Sequence, residues 1–406
     1  MRVTTAFNRM LAIPGASVRS VEFGPDGIVI GVRRRARRHR CPCGFSTRAR
    51  YDYSIRRWRH LDAASCKLWL EAEVSRVDCS DCGRVRTEEV PWARPGARHS
   101  RDFENVVAWL CQRTDKTTVS TLLRCAWKTV DSIVMRVVDD HLDDTRLDDL
   151  FNLGVDEISY KRGHQYLSII ADHDTGDVVW VAEGRNQQAL TDFFEALGPE
   201  RCEQVQAISM DMATIWRDPC QQFIPHADLC FDPFHVIAWA NRALDDVYKS
   251  AAREHGTGTG DRDWRKMRYA LRAGAERLDT THHDLLNRLR RTRYRLWRAW
   301  ELKERLRDLY RVIDPTDARA HLKAWCTAAL RSRIPQLTTL ARRIRKHFDG
   351  IIAAVEHGLS NSRLEGINSK IRLINRRAHG HRTAKALAAS IYLCLGGITI
   401  QLPTQT

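Results

Sequence analysis

Long apolar runs are missing from this 406-residue chain. No stretch reaches the ~18 apolar residues that a membrane span needs, so no membrane partner is expected. The opening residues, MRVTTAFNRMLAIPGASVRS, carry too short an apolar segment for a secretory signal. Internal repeats and low-complexity tracts are also lacking, which excludes solenoids and long disordered tails. Lysine is scarce: 11 of the 66 basic residues are Lys and 55 are Arg. Acidic residues are in deficit too, 50 against those 66, leaving a formal charge of +16. A surplus of this size favours a polyanionic partner, because each phosphate neutralised releases counterions. Arginine suits bidentate phosphate contacts, although a GC-rich genome gives the same bias.

What is present is ample core material, 43% hydrophobic residues, in a length that suggests two to four domains. Twelve cysteines in a long chain without a signal favour reduced thiols and a cytoplasmic protein, some of them free to hold a metal. Residues 1–32 read as short strands with turns at Pro14-Gly15 and Pro25-Asp26-Gly27. Between Val32 and His60 there are eleven Arg, no Lys and one acid, Asp52. Two close cysteine pairs frame the region, Cys41 and Cys43 in CPCG, Cys79 and Cys82 in CSDCG. Four thiolates at such spacing can bind a tetrahedral structural Zn2+, with each CG turn giving a knuckle. Cys41 and Cys43 stand one residue closer than usual, and Cys66 is a substitute ligand. Four buried free thiols are the plainer alternative. With arginines on both sides, the module is expected to grip DNA phosphates.

Pro91, Pro95 and Gly96 mark a linker, after which 102–145 reads as short helices, with Val106, Val107 and Leu110 on a 3.6 period. From Thr117 to Val138 two helices with a tight turn fit a helix-turn-helix. Val119, Leu122 and Leu123 would face inward on the first, and Trp127, Val130, Ile133 and Val134 on the second. Lys128, Thr129, Ser132 and Arg136 are then left outward as DNA contacts. Plain packing of a helical hairpin explains the same spacing.

After Leu150 the pattern turns to strands: FNLGVDEISY, QYLSIIADHD and GDVVWVAE, joined by turns at Arg162-Gly163 and Thr175-Gly176. A helix from about Asn186 to Leu197, a strand VQAISMD, a helix Ala213–Phe223 and a strand ADLCFD follow. This order predicts a mixed α/β layer. Residues 236–350 read as almost wholly helical. Within them Leu285, Leu289, Leu296, Trp300 and Leu306 suit an amphipathic hairpin or coiled coil, or a DNA contact.

Carboxylates inside that α/β layer carry the chemistry. Asp156 sits in an apolar strand, where an unpaired acid costs several kcal/mol. Asp211 closes a second apolar strand, and Glu365 opens a helix amid six Arg/Lys between Arg363 and Arg382. Three carboxylates so placed can hold two Mg2+ ions, with Mn2+ able to substitute, for in-line phosphoryl transfer. Glu157 is a rival to Asp156, a helix cap is the plain reading of Asp211, and an ion pair with Arg363 that of Glu365. Asp172 and Asp174 in DHDTGD read as turn residues.

Four motifs in this order, GVDEIS, SMDM, FDPFHV and SNSRLEGINSKIRLINRRAHGHR, resemble the ISL-three family of bacterial insertion-sequence transposases. These belong to the DDE superfamily, whose catalytic fold is ribonuclease H-like. The resemblance covers nearly the whole chain and departs at CPCG, where the family usually has two residues between the cysteines. It implies a multidomain α+β protein: a Cys-rich zinc-binding module over 1–95, a helix-turn-helix domain over 100–146, and a DDE catalytic domain over 150–400 with a helical insertion at about 240–350. It implies that Asp156, Asp211 and Glu365 are the metal-binding catalytic triad and that Asp232 and His235 support them. Lys370 and Arg372 would contact DNA phosphate, joined by Arg376 and Arg377 on the same segment. The implied activity is Mg2+-dependent cleavage and strand transfer at terminal inverted repeats, by a homodimer or higher synaptic complex near the nucleoid. A DNA-binding regulator that no longer cuts, and a nuclease that hydrolyses without joining, are the rival readings.

Overall fold

The computed structural model describes residues 2–161, 163–254, 262–311 and 313–405. Arg162, from the turn expected at Arg162-Gly163, lies outside the described residues, as do 255–261 and Val312 within the helical region. The chain divides into two compact units, Met1–Asp143 with Leu373–Thr406, and Asp144–Arg372.

The first unit is built on a five-stranded sheet. Strands Ala16–Gly24 and Gly27–Arg34 form a hairpin, and the long strands Asp52–Ala63 and Cys66–Cys79 form a second. Gly27–Arg34 runs parallel to Cys66–Cys79 and joins the two. Alternation sets Ile28, Ile30 and Val32 on one face, where they meet Leu68, Leu70, Ala72 and Val74 around Trp58 and Trp92. Residues Val3–Leu11 are a helix, not a strand as expected. Phe7 and Leu11, one helical turn apart, lean on the sheet core, and Asn8 Oδ1 accepts from the Val18 N–H at 3.0 Å.

Three helices follow, Arg101–Cys111, Lys116–Leu122 and Trp127–His141. Ser100 and Asp115 cap the first two by accepting from Phe103 and Thr118 N–H groups. Val119, Val130, Ile133 and Val134 are buried as their spacing predicts. Leu122 is instead 62% exposed, because the helix ends there and the turn carries it outward. The C-terminal helix Ala384–Leu395 packs on Trp127–His141 in the same unit.

The second unit has a five-stranded sheet. Strands Asn152–Lys161, Gln165–Asp172 and Val178–Glu183 pair antiparallel in chain order. After helix Gln187–Leu197, strand Ala207–Met210 returns parallel to Asn152–Lys161. After helix Thr214–Phe223, strand Asp228–Phe231 adds parallel to Ala207–Met210. From Pro233 to Glu356 every regular element of more than three residues is a helix, among the described residues. The stretch from Leu285 onward breaks at Arg293 into helices Thr280–Thr292 and Tyr294–Asp308, which pack on each other through Leu286, Leu289 and Leu296. One apolar cluster runs from Leu153, Val155 and Ile208 in the sheet out to Leu302, Trp325 and Ile344 in these helices. Helix Ser362–Arg377 then starts beside the sheet. Among the described residues, no helix is long and apolar enough to cross a membrane.

Candidate active site and cysteine centre

Register places the acids. Ser209 pairs with Gly154, so two residues further along the parallel strands Asp211 stands level with Asp156. Met210 pairs with Phe231, and one step on Asp211 stands level with Asp232. Asp211 and Asp232 therefore directly follow the carboxyl ends of two parallel strands, level with Asp156 midway along the longer neighbouring strand, at the edge where open α/β sheets bind ligands.

A buried polar network fixes this edge. Ser209 Oγ–H donates to Asn361 Oδ1 at 2.6 Å, and Asn361 Nδ2 faces the Val155 carbonyl at 3.5 Å. His173 Nε2 lies 2.6 Å from Ser209 Oγ, so this nitrogen carries the proton and donates. Burial lowers the pKa of His173 and keeps the ring neutral. The Asn361 N–H donates to Asp232 Oδ1 at 3.3 Å. Gly154 is demanded by closeness: a Cβ there would stand 2.7 Å from both His173 Nε2 and Leu364 Cδ1. The glycine of GVDEIS thus brings helix Ser362–Arg377 close against the strand of Asp156.

Asp156 Oδ1 accepts from the Glu157 N–H at 2.9 Å and Oδ2 from Asn368 Nδ2 at 2.8 Å. Burial raises its pKa, opposed by the Glu157 N–H and reinforced by the charge of Asp211. Glu157 is pushed up to about 7 by burial, with Arg185 pulling down and Asp211 and Asp156 pushing further up. Asp232, 3% exposed, is also raised by burial. Arg185 Nη2 sits 2.9 Å from Glu157 Oε1 and 3.8 Å from Asp211 Oδ2. Asp211 Oδ1 accepts from the Ala213 N–H at 2.9 Å. His235 Nε2 is 3.9 Å from Asp232 Oδ2.

Glu365 is exposed in the first turn of its helix, between Asn361 and Asn368, which both bond to the strand of Asp156. Among the described residues, no three of Asp156, Glu157, Asp211, Asp232 and Glu365 bring their ligand atoms close enough together to hold an ion as they stand. Arg363 donates to the carbonyls of His173 and Asp174. Asp172 accepts from the Asp174 and Thr175 N–H groups, a turn role. Lys370, Arg372, Arg376 and Arg377 are all exposed on helix Ser362–Arg377.

In the other unit Lys128 and Ser132 are exposed and Thr129 half-buried. Arg136 is turned onto Glu104, whose side chain is fully buried, at 2.7 Å. The Sγ atoms of Cys41, Cys43, Cys79 and Cys82 all lie within 4.8 Å of one another, the one such metal-binding set among the described residues. Gly44 and Gly83 adopt φ of +99° and +63°, and their N–H groups bond back to the Cys41 and Cys79 carbonyls. Burial raises the Cys79 thiol, but the Cys82 N–H and the neighbouring thiols outweigh it and draw the pKa down to about 7. Cys66 is exposed in the turn of the second hairpin and takes no part.

Arg185, Asn361, Asn368, Ser209 and His173 were not foreseen from the sequence. Asn361 and Asn368 stand four residues before and three after Glu365, a helical spacing that could have marked them.

Residues 153–391 match the DDE_Tnp_ISL3 family, described as transposase, and 88–138 match the helix-turn-helix domain of transposase family ISL3. The class is that of an insertion-sequence transposase. A relative named transposase for insertion sequence element IS1557, from Mycobacterium tuberculosis, is 38% identical over 99% of this chain and 98% of its own length. The transposase for IS1001 of Bordetella parapertussis is 28% identical, covering 84% of each chain. Among solved structures, the Drosophila P element transposase strand transfer complex aligns with a TM-score of 0.41 at 10% identity, over 74% of this chain and 92% of that one. The chain belongs to the ISL3 family of transposases.

Proposed function

We propose that the Asp144–Arg372 unit carries a ribonuclease H-like DDE site that cuts DNA at the ends of its own element and joins the freed ends to target DNA. The observation carrying this reading is the level placement of Asp156 and Asp211 on neighbouring parallel strands, with the helix of Glu365 tied to them by Asn361 and Asn368. The strand order agrees: three antiparallel strands, then two added in parallel beside the first. On this reading the helices between Pro233 and Glu356 are an insertion between the second and third acids. Domain limits of 1–95, 100–146 and 150–400 follow the motifs.

Asp156, Asp211 and Glu365 would hold divalent cations. The site fits such ions: burial and the charge of Asp211 push up the pKa of Asp156 and Glu157, and the acceptors Glu157 Oε2 and Asn368 Oδ1 are buried without a donor. When bound, two Mg2+ or Mn2+ supply charge stabilisation at the phosphoryl oxygens and ease deprotonation of the attacking hydroxyl. Glu365 would join Asp156 and Asp211 by a change of side-chain rotamer when the ions bind. Asp232, held by the Phe234 and Asn361 N–H groups, orients His235 beside the scissile phosphate. Lys370, Arg372, Arg376 and Arg377 bind the phosphate backbone, while Lys128, Thr129 and Ser132 read the terminal repeats in double-stranded DNA. Two or more chains acting on paired ends make the joining step effectively intramolecular. The cysteine cluster holds a structural Zn2+, its four sulfur donors matching that ion's preference. The protein acts in the cytoplasm, where its DNA lies.

Asp156→Asn tests the scheme. Cleavage of a repeat-end oligonucleotide in Mg2+ should fall by ~10³-fold or more, and binding of that oligonucleotide should be unchanged, because no DNA-reading residue is touched. Wild-type nicking by the variant would defeat the assignment. Scoring nicked and joined products separately distinguishes a transposase from a nuclease or a silent regulator.

A further inference from the structure

We propose that Arg185 is the resident counter-cation of the carboxylate site, competing with divalent cations for the edge between Glu157 and Asp211 and setting how tightly they bind. This rests on the metal-site reading above and names a residue which that reading does not use.

The backbone delivers Arg185 to the site. It lies between strand Val178–Glu183 and helix Gln187–Leu197, and both flanks are pinned. The Gly184 N–H donates to the Tyr166 carbonyl and Ser168 Oγ–H to the Gly184 carbonyl, both at 2.8 Å. Asn186 Oδ1 caps the helix at the Ala189 N–H, 3.0 Å away. The guanidinium then reaches Glu157 at 2.9 Å and stands 3.8 Å from Asp211. Its side chain is 40% exposed, so the head can swing into water while the backbone stays fixed.

A second observation shows that the site is short of positive charge. Asn368 is 5% exposed and spends its Nδ2 on Asp156, which leaves Oδ1 buried without a donor. Glu157 Oε2 is buried without one as well. Glu157 and Asp211 thus share one guanidinium, His235 stands 3.9 Å from Asp232, and two acceptor oxygens at this edge are left spare. An arriving divalent ion meets a like charge where Arg185 now sits, and has to displace it. Removing that unit charge should strengthen binding on the order of tenfold at the effective dielectric of such a site.

The test is Mn2+ affinity of the full-length, zinc-loaded protein without DNA, read from the electron paramagnetic resonance of free Mn2+. Arg185→Gln should bind Mn2+ about tenfold tighter than wild type, Arg185→Lys about equally, and Glu157→Gln more weakly. Unchanged or weaker binding by Arg185→Gln, with Asp156→Asn abolishing it, would overturn the role of Arg185 and leave the metal site standing. Wild-type affinity in Asp156→Asn would overturn the metal-site reading and this inference with it. A side chain that merely braced the fold would not raise affinity when removed, so the sign of the change separates the two roles.

Discussion

Replacing Glu157 by Gln should make the protein more stable above neutrality, even though it alters the active-site edge. Glu157 has a side chain 17% exposed and a pKa pushed up from 4.5 to about 7, chiefly by burial. Its folded-state pKa lies above its unfolded one. The folded state therefore holds the proton more tightly, and stability falls as pH rises from 4.5 to about 7. At 1.36 kcal/mol per unit this ionisation costs the folded protein about 3 kcal/mol at pH 8. A glutamine at this position does not titrate and escapes that cost. The attraction of Arg185 already lowers that pKa and is contained in the figure. A gain of ~3 kcal/mol corresponds to ~6–12 °C in the melting temperature of a unit this size. Differential scanning calorimetry in Mg2+-free buffer at pH 4, 6 and 8 reads it. The gain should be absent at pH 4, where wild-type Glu157 is protonated in both states, and full at pH 8. A difference independent of pH, or a less stable variant at pH 8, would refute the reasoning.

Arg136→Ala and Lys128→Ala should fail differently. The first leaves the buried Glu104 with Arg94 alone, at 3.3 Å, and should destabilise the N-terminal unit by ~3 kcal/mol in denaturant titration. Lys128→Ala should leave stability within ~0.5 kcal/mol and weaken DNA binding, lowering its salt slope by about 1. Cys79→Ser should lose most of about one zinc per chain, measured by metal analysis, and lower the unfolding temperature of the same unit. Asn361→Ala strips the acceptor from the fully buried Ser209 hydroxyl and should cost ~2–4 kcal/mol in the catalytic unit, with hydrogen exchange accelerated in strand Ala207–Met210. Full protection there would count against the network.

How much could be read in advance depended on whether the signal was local. Strands Asn152–Lys161 and Ala207–Met210 were legible because their apolar runs are bounded by turns. Asp156 and Asp211 stood out because an acid ending or interrupting such a run needs a reason. The cysteine pairs were legible from spacing, and the short CPCG loop still lets all four thiols meet. The helix Val3–Leu11 carries its apolar residues Val3, Ala6, Phe7, Met10 and Leu11 at helical spacing, a signal that the turn residues Pro14-Gly15 and the strands after them overshadow. Leu122 and Arg136 were misjudged because helical periodicity gives a face but not what covers it. Leu122 runs out of partner surface, and Arg136 finds the buried Glu104, 32 residues earlier.

Periodicity, turn chemistry and the isolated acids, properties of short windows of residues, were enough to specify a basic, multidomain α/β protein with a four-thiol centre and an acidic edge. Which groups share that edge was a matter of strand register and of the close approach that Gly154 allows. Ser209 and Asn361 are 152 residues apart, and Asn368 and Asp156 are 212 apart. No local preference links such pairs. They meet because parallel pairing levels the strands and burial then obliges every polar group left there to find a partner.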